Sequence, residues 1–128
     1  MSLLRVLLVE DDTPLGVLLG EVLEGMGYAV CAIEATEHGA IAAALRCKPD
    51  LLLVDVQLGV GSGVAAVEQI LRGGFVPHVF YSGEISGVQM LKPSAVTLQK
   101  PFRVPDLARA IERALGARTL PASFPQPT

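Results

Sequence analysis

Four separated places in this chain carry side chains that could do chemistry together: the acids Glu10, Asp11 and Asp12, the acid Asp55, the hydroxyl of Ser82 and the amine of Lys100. Each closes a largely apolar run, such as Leu51-Leu52-Leu53-Val54 before Asp55. A carboxylate inside a strand covered on both faces is costly unless it is paired or bound. At the carboxyl end of such a strand it stands where open parallel sheets place their ligands. Acids gathered at one such end repel one another, by about 4 kcal/mol for a pair roughly 4 Å apart at an effective dielectric near 20. Lys100 offsets one negative charge, and the remainder calls for a cation. Oxygen-only ligands with room for water favour Mg²⁺ or Mn²⁺. An acid beside a hard cation, an amine and a hydroxyl suits phosphoryl transfer. The carboxylate acts as nucleophile and forms an acyl phosphate, while the cation and the amine neutralise the transferred group. Gly59, Gly61 and Gly63, just beyond Asp55, leave room for a partner's side chain to approach.

These positions become one site only if the ends of several strands meet. Residues 3–9 are a nearly continuous apolar run, broken only by Arg5, as expected of a buried strand. Thr13-Pro14 opens a helix, with Thr13 as its cap. Leu15, Leu18, Leu19, Val22 and Leu23 recur at helical spacing as its inner face. A second strand is expected over 28–33. Thr36 then caps a helix reaching about Arg46, with Ile41, Ala44 and Leu45 inward. The third strand covers 51–56, and Ser62 caps a third helix carrying Val64, Val67, Ile70 and Leu71. Residues 76–82 form the fourth strand, with Pro77 tolerable at its start. The interval 83–93 holds two glycines and a closing proline, so its helix is expected to be short or frayed. Residues 95–99 make the fifth strand. Pro105 starts the last helix, with Leu107, Ala110, Ile111 and Leu115 inward. Five alternations predict an α/β fold, a doubly wound five-stranded parallel sheet with right-handed crossovers. The order 2-1-3-4-5 gathers the ends of strands 1, 3, 4 and 5 around one crevice.

The bulk properties agree. A chain of 128 residues holds one domain, expected over 1–117, ahead of a flexible Pro-rich tail over 118–128. It is 51% apolar but 5% aromatic, so the core is aliphatic and suits helices over a sheet. A net charge of -3 without a Lys/Arg run argues against nucleic-acid binding. No apolar run approaches the roughly 20 residues of a membrane span. The amino terminus reads directly as a strand, with no signal peptide. Cys31 and Cys47 lack metal-ligand spacing and read as reduced thiols, which points to the cytoplasm. His38 and His78 read as surface or strand residues rather than ligands.

Val9-Glu10-Asp11-Asp12, Leu53-Val54-Asp55, Ser82 and Lys100-Pro101-Phe102, each at a strand end and in this order, resemble the receiver domain of two-component response regulators, the CheY-like family. The resemblance covers nearly the whole chain. It implies that Asp55 is the phosphoacceptor, that Asp11 ligates Mg²⁺ directly and Glu10 through water, and that Gln57 offers its backbone carbonyl to the metal. Asp12 is then a neighbour of the acidic pair. Ser82 corresponds to the hydroxyl that bonds the phosphoryl group, Lys100 to the family's lysine, and the Lys100–Pro101 bond is expected to be cis. The implied donor is a histidine kinase or histidine phosphotransfer protein. Because no DNA-binding segment follows, the reading is a stand-alone receiver, monomeric or weakly dimeric, whose output is a downstream protein contact.

Three features depart from the family's pattern. Receivers commonly carry an aromatic switch residue three before the lysine, where this chain has Thr97. Tyr81 reads as core packing that could in part replace the missing ring. The interval from Ser82 to Lys100 is short, and Gly59 stands where a proline is common. Three rival readings share the same residues, one of them that the chain is a fragment of a larger hybrid protein. A docking pseudo-receiver would be expected to lack an acidic-pair residue or the lysine. A metal-dependent phosphatase with an aspartyl-phosphate intermediate would carry an acid at the position of Gln57.

Overall fold

The computed structural model describes residues 3–119. Ten elements alternate along it: β1 (Arg5–Val9), α1 (Thr13–Gly25), β2 (Ala29–Glu34), α2 (Glu37–Cys47), β3 (Leu51–Asp55), α3 (Gly63–Leu71), β4 (His78–Ser82), α4 (Ser86–Leu91), β5 (Val96–Gln99) and α5 (Val104–Thr119). The strands lie in the order β2-β1-β3-β4-β5 with every neighbouring pair parallel, as the alternation predicts. Val6 to Val9 and Leu51 to Val54 have no exposed surface, because helices cover both faces of the central strands. That is the physical reason their sequences show no polar alternation.

Strand periodicity divides the interior into two cores. Val6, Leu8, Leu53, Val79 and Tyr81 pack beneath α1 and α5, against Leu19, Leu23, Leu107 and Ile111. Leu7, Val9, Val54 and Phe80 pack beneath α2, α3 and α4, against Ala40, Ala43, Val67 and Val88. Each fully buried Leu or Val contributes about 1.5–3 kcal/mol relative to exposure. Among the described residues, no helix is long and apolar enough to cross a membrane.

Several local expectations need correction. The cap of α1 is Asp12, not Thr13: the Asp12 carboxylate accepts from Leu15 N at 3.0 Å, and Thr13 is already helical. A carboxylate answers both the free N–H groups and the positive end of the helix. Leu18 is 56% exposed, because α1 turns Gly16, Leu19, Gly20 and Leu23 inward. Leu45 is 77% exposed for a similar reason: α2 buries Ala40, Ala43, Ala44 and Cys47, small residues that let it lie close to the sheet. Thr36 and Ser62 cap α2 and α3 as expected, accepting from Gly39 N and Ala65 N. The helix α4 is short, six residues with no side-chain cap. Helix α5 continues to Thr119, two residues into the stretch expected as a tail, and the rest of that stretch lies outside the described residues.

The turn from β3 into α3 shapes the site directly. Gly63 N donates to Val56 O at 3.1 Å, folding the chain back over the end of β3. A Cβ at Gly63 would overlap the carbonyl oxygen of Asp55 and crowd Val54. Only glycine permits this approach.

Candidate functional site

The carboxyl edge of the sheet brings the singled-out residues together. Glu10 is 3% exposed, Asp55 4% and Ser82 0%, while Asp11 lies at the surface. One carboxylate oxygen from each of Glu10, Asp11 and Asp55 falls within 4.8 Å of the others. Lys100 reaches in from the end of β5, its Nζ 2.9 Å from Asp55 Oδ2 and 3.6 Å from Glu10 Oε1. The Lys100–Pro101 peptide is cis, as expected.

Each carboxylate is also held by a donor of its own. Asp55 Oδ1 accepts from Gln57 N at 3.0 Å, and Glu10 Oε2 accepts from Asp12 N at 3.1 Å. Asp11 Oδ2 accepts from Gly59 N at 2.8 Å, tying the β3–α3 loop to the end of β1. Ser82 Oγ accepts from Glu84 N at 3.1 Å, and Lys100 N donates to Ser82 O at 2.8 Å. The donors leave every carboxylate with further lone pairs.

The electrostatics follow from this crowding. Burial raises the Glu10 carboxyl above its ordinary value, the hydrogen bonds from Asp12 and Tyr81 oppose that, and the charge of Asp55 adds to it. Burial disfavours the Lys100 ammonium, but its hydrogen bond to Asp55 and the charges of Asp55 and Glu10 outweigh the loss and hold it above its ordinary value. Three carboxylates and one ammonium leave excess negative charge in a small volume. An all-oxygen donor set of this kind fits a hard divalent ion such as Mg²⁺.

Two expected residues lie elsewhere in their surroundings. Asp12 serves the helix as its cap. Thr97 pairs with Phe80 across the sheet, and its Oγ1 accepts from Gln89 Nε2 of α4 at 3.2 Å, so a helix-to-strand hydrogen bond occupies the position where a ring was considered. One participant was read as core packing and, in part, a stand-in for the missing ring, not as a partner of the acids. Tyr81 is the cross-strand partner of Asp55, and its hydroxyl donates to Glu10 Oε1 at 2.8 Å. Burial, and then the charge of Glu10, push its phenol far above the ordinary range, so it remains a donor. The available signal was its register: two residues beyond Val79 on one strand face, level with Asp55.

Comparisons with known proteins bear on the family and the fold. Residues 6–112 match the family model described as the response regulator receiver domain. The chain is 32% identical over 115 residues to the KDP operon transcriptional regulatory protein KdpE of Escherichia coli (strain K12), covering 87% of this chain and 51% of that protein. It is 31% identical over 116 residues to the phyllosphere-induced regulator PhyR of Methylorubrum extorquens, covering 87% and 43%. The chain thus spans about half the length of the curated relatives it matches. Among solved structures, the Erythrobacter litoralis PhyR response regulator REC domain superposes with a TM-score of 0.84 at 28% identity, covering 97% of this chain and 98% of that one. PhyR from Bartonella quintana, described as an anti-anti-sigma factor, gives 0.78 at 26% identity, covering 92% of this chain and 49% of that one.

Proposed function

This chain belongs to the response regulator receiver domain family, and from that premise we propose that it accepts a phosphoryl group on Asp55 from a phosphohistidine of a histidine kinase or phosphotransfer protein. The observation that carries the reading is the cluster itself: Asp55, Glu10 and Asp11 with oxygens within 4.8 Å, and Lys100 bonded to Asp55. An Asp55 carboxylate oxygen attacks phosphorus, the P–N bond to the histidine breaks, and the imidazole leaves with its electron pair. Lys100, already at hydrogen-bond distance, shifts its donors onto the incoming phosphoryl oxygens. A divalent ion held by Asp55 and Asp11, by Glu10 through water and by the Gln57 carbonyl would neutralise charge on the transferring group. Ser82, at the end of the adjacent strand, supplies a hydroxyl to a phosphoryl oxygen.

The surface beside the pocket suits such a donor. Leu15, Leu18, Phe102 and Val104 line an apolar cleft of about 660 Å³ between α1 and α5, with Lys100 at its edge. A partner helix seated there would bring its histidine toward Asp55. The phosphoryl group adds about two negative charges, and the answering surface is that of α4 and β5, read by a protein partner. The test is Mg²⁺-dependent labelling by a small phosphodonor such as acetyl phosphate, followed by mass spectrometry. Label is expected on Asp55, none on Asp55→Asn, and none with the ion chelated. Undiminished label on the variant removes the assignment.

A further inference from the structure

We propose that Tyr81 is a positioning residue of the acidic pocket, holding Glu10 with its hydroxyl and Lys100 with the face of its ring. This rests on the phosphoacceptor reading and adds to it a residue on which that reading does not depend.

Tyr81 has no exposed surface, so its hydroxyl must find a partner inside the protein. That partner is a carboxylate: the O–H donates to Glu10 Oε1 at 2.8 Å, with Val9 O a more distant acceptor at 3.4 Å. The second oxygen of Glu10 is taken by Asp12 N. Both oxygens are therefore fixed, one by backbone and one by a wedged ring, and Glu10 keeps a single orientation. The ring is wedged by Phe102, edge to face with centroids 5.9 Å apart at 74°. On that ring rests the Lys100 ammonium, 5.0 Å from the centroid and within cation–π reach.

The same oxygen of Glu10 also faces the amine. Lys100 Nζ stands 3.6 Å from Glu10 Oε1, the same oxygen that takes the Tyr81 hydroxyl, so the two donors share one acceptor. The Tyr81 hydroxyl is the nearer of the two, at 2.8 Å, and sets where that oxygen lies. Packing alone does not explain the hydroxyl: a phenylalanine would fill the same space without a buried polar atom to satisfy. The oxygen is there for Glu10.

The test uses the full chain. Tyr28 and Tyr81 are its two tyrosines and it has no tryptophan, so Tyr28→Phe leaves Tyr81 as the reporting fluorophore. A phenol bonded to a carboxylate is quenched, so Tyr81 emission should shift saturably as Mg²⁺, and then Mg²⁺ with beryllofluoride, is added. By calorimetry, Tyr81→Phe should bind Mg²⁺ roughly three- to tenfold more weakly than wild type, the scale of one net hydrogen bond. In a Glu10→Ala background, where no side-chain oxygen remains to accept from the phenol, the same substitution should change nothing further, an outcome that a merely structural role would not give. Wild-type affinity in Tyr81→Phe, or an undiminished penalty in the Glu10→Ala background, overturns the inference and leaves the phosphoacceptor reading intact. If Tyr81→Phe does not fold, flat Tyr81 emission while calorimetry registers the ion overturns it instead. A wild-type chain that binds neither Mg²⁺ nor beryllofluoride overturns both readings.

Discussion

Lys100 Nζ bridges two carboxylates that start from different strands, standing 2.9 Å from Asp55 Oδ2 and 3.6 Å from Glu10 Oε1. Both acids are almost fully buried, while about a quarter of the lysine side chain reaches solvent. Without a bound cation, this amine is their nearest positive charge among the described ion pairs.

Removing that charge should therefore destabilise the fold as well as the chemistry. Lys100→Met keeps an apolar stem but leaves two buried carboxylates facing each other. A loss of about 1–3 kcal/mol is expected, less than for a fully buried pair because Lys100 is partly exposed. Urea unfolding in metal-free buffer measures it. Wild-type stability in that variant would mean that the pair contributes nothing.

A divalent ion should stabilise the folded chain through the same excess charge. Binding confined to the native state adds about 2.7 kcal/mol at a hundred times the dissociation constant. The melting temperature is expected to climb with Mg²⁺ and to return on chelation. In Asp11→Asn most of that climb should vanish. An equal rise in both proteins would move the ion away from the cluster.

Gly63→Ala tests the turn over β3. The added methyl meets the Asp55 carbonyl and Val54, neither of which can swing aside. Overpacking against backbone is expected to cost about 3 kcal/mol or more, read as a lower urea midpoint. Little change would show that the β3–α3 loop has slack.

The thiol of Cys31 offers a pH test. Burial, followed by the neighbouring Cys47 thiol, pushes its pKa up to about 11. The thiolate is the reactive form, so alkylation of folded protein at pH 8 should be roughly a hundredfold slower than for an ordinary thiol of pKa near 8.5. The rate should rise about tenfold per pH unit until it approaches the shifted pKa. The linked stability has the matching sign: the raised pKa favours the fold below the unfolded value near 9 and loses that contribution as pH climbs toward 11. Rapid modification at pH 8 without unfolding would contradict it.

What could be read in the chain was whatever depends on near neighbours in sequence. Apolar runs ended by acids located β1 and β3, and Thr36 and Ser62 announced their helices because capping spans three residues. The meeting of Glu10, Asp11, Asp55 and Lys100 then followed from strand order alone. The misreadings lie where distance or competition decides. Asp12 and Thr13 are adjacent cap candidates of similar chemistry, and the backbone of the β1–α1 turn selects the acid. Leu45 looked inward by hydropathy, but Ala40, Ala43 and Ala44 govern how closely α2 approaches the sheet. The bond from Tyr81 to Glu10 joins residues 71 apart, one on β4 and one just beyond β1, strands that are not neighbours in the sheet, and only the lateral order of β1, β3 and β4 brings them together.

The brevity of α4 has a further consequence. Of its six residues only Val88 is buried, and Met90 and Leu91 are 82% and 77% exposed. Its tie to β5 at Thr97 is one hydrogen bond between exposed side chains. Unwinding or re-seating this turn would therefore sacrifice little hydrophobic contact. The stretch that follows Ser82 is thus a part of the sheet's perimeter that yields cheaply.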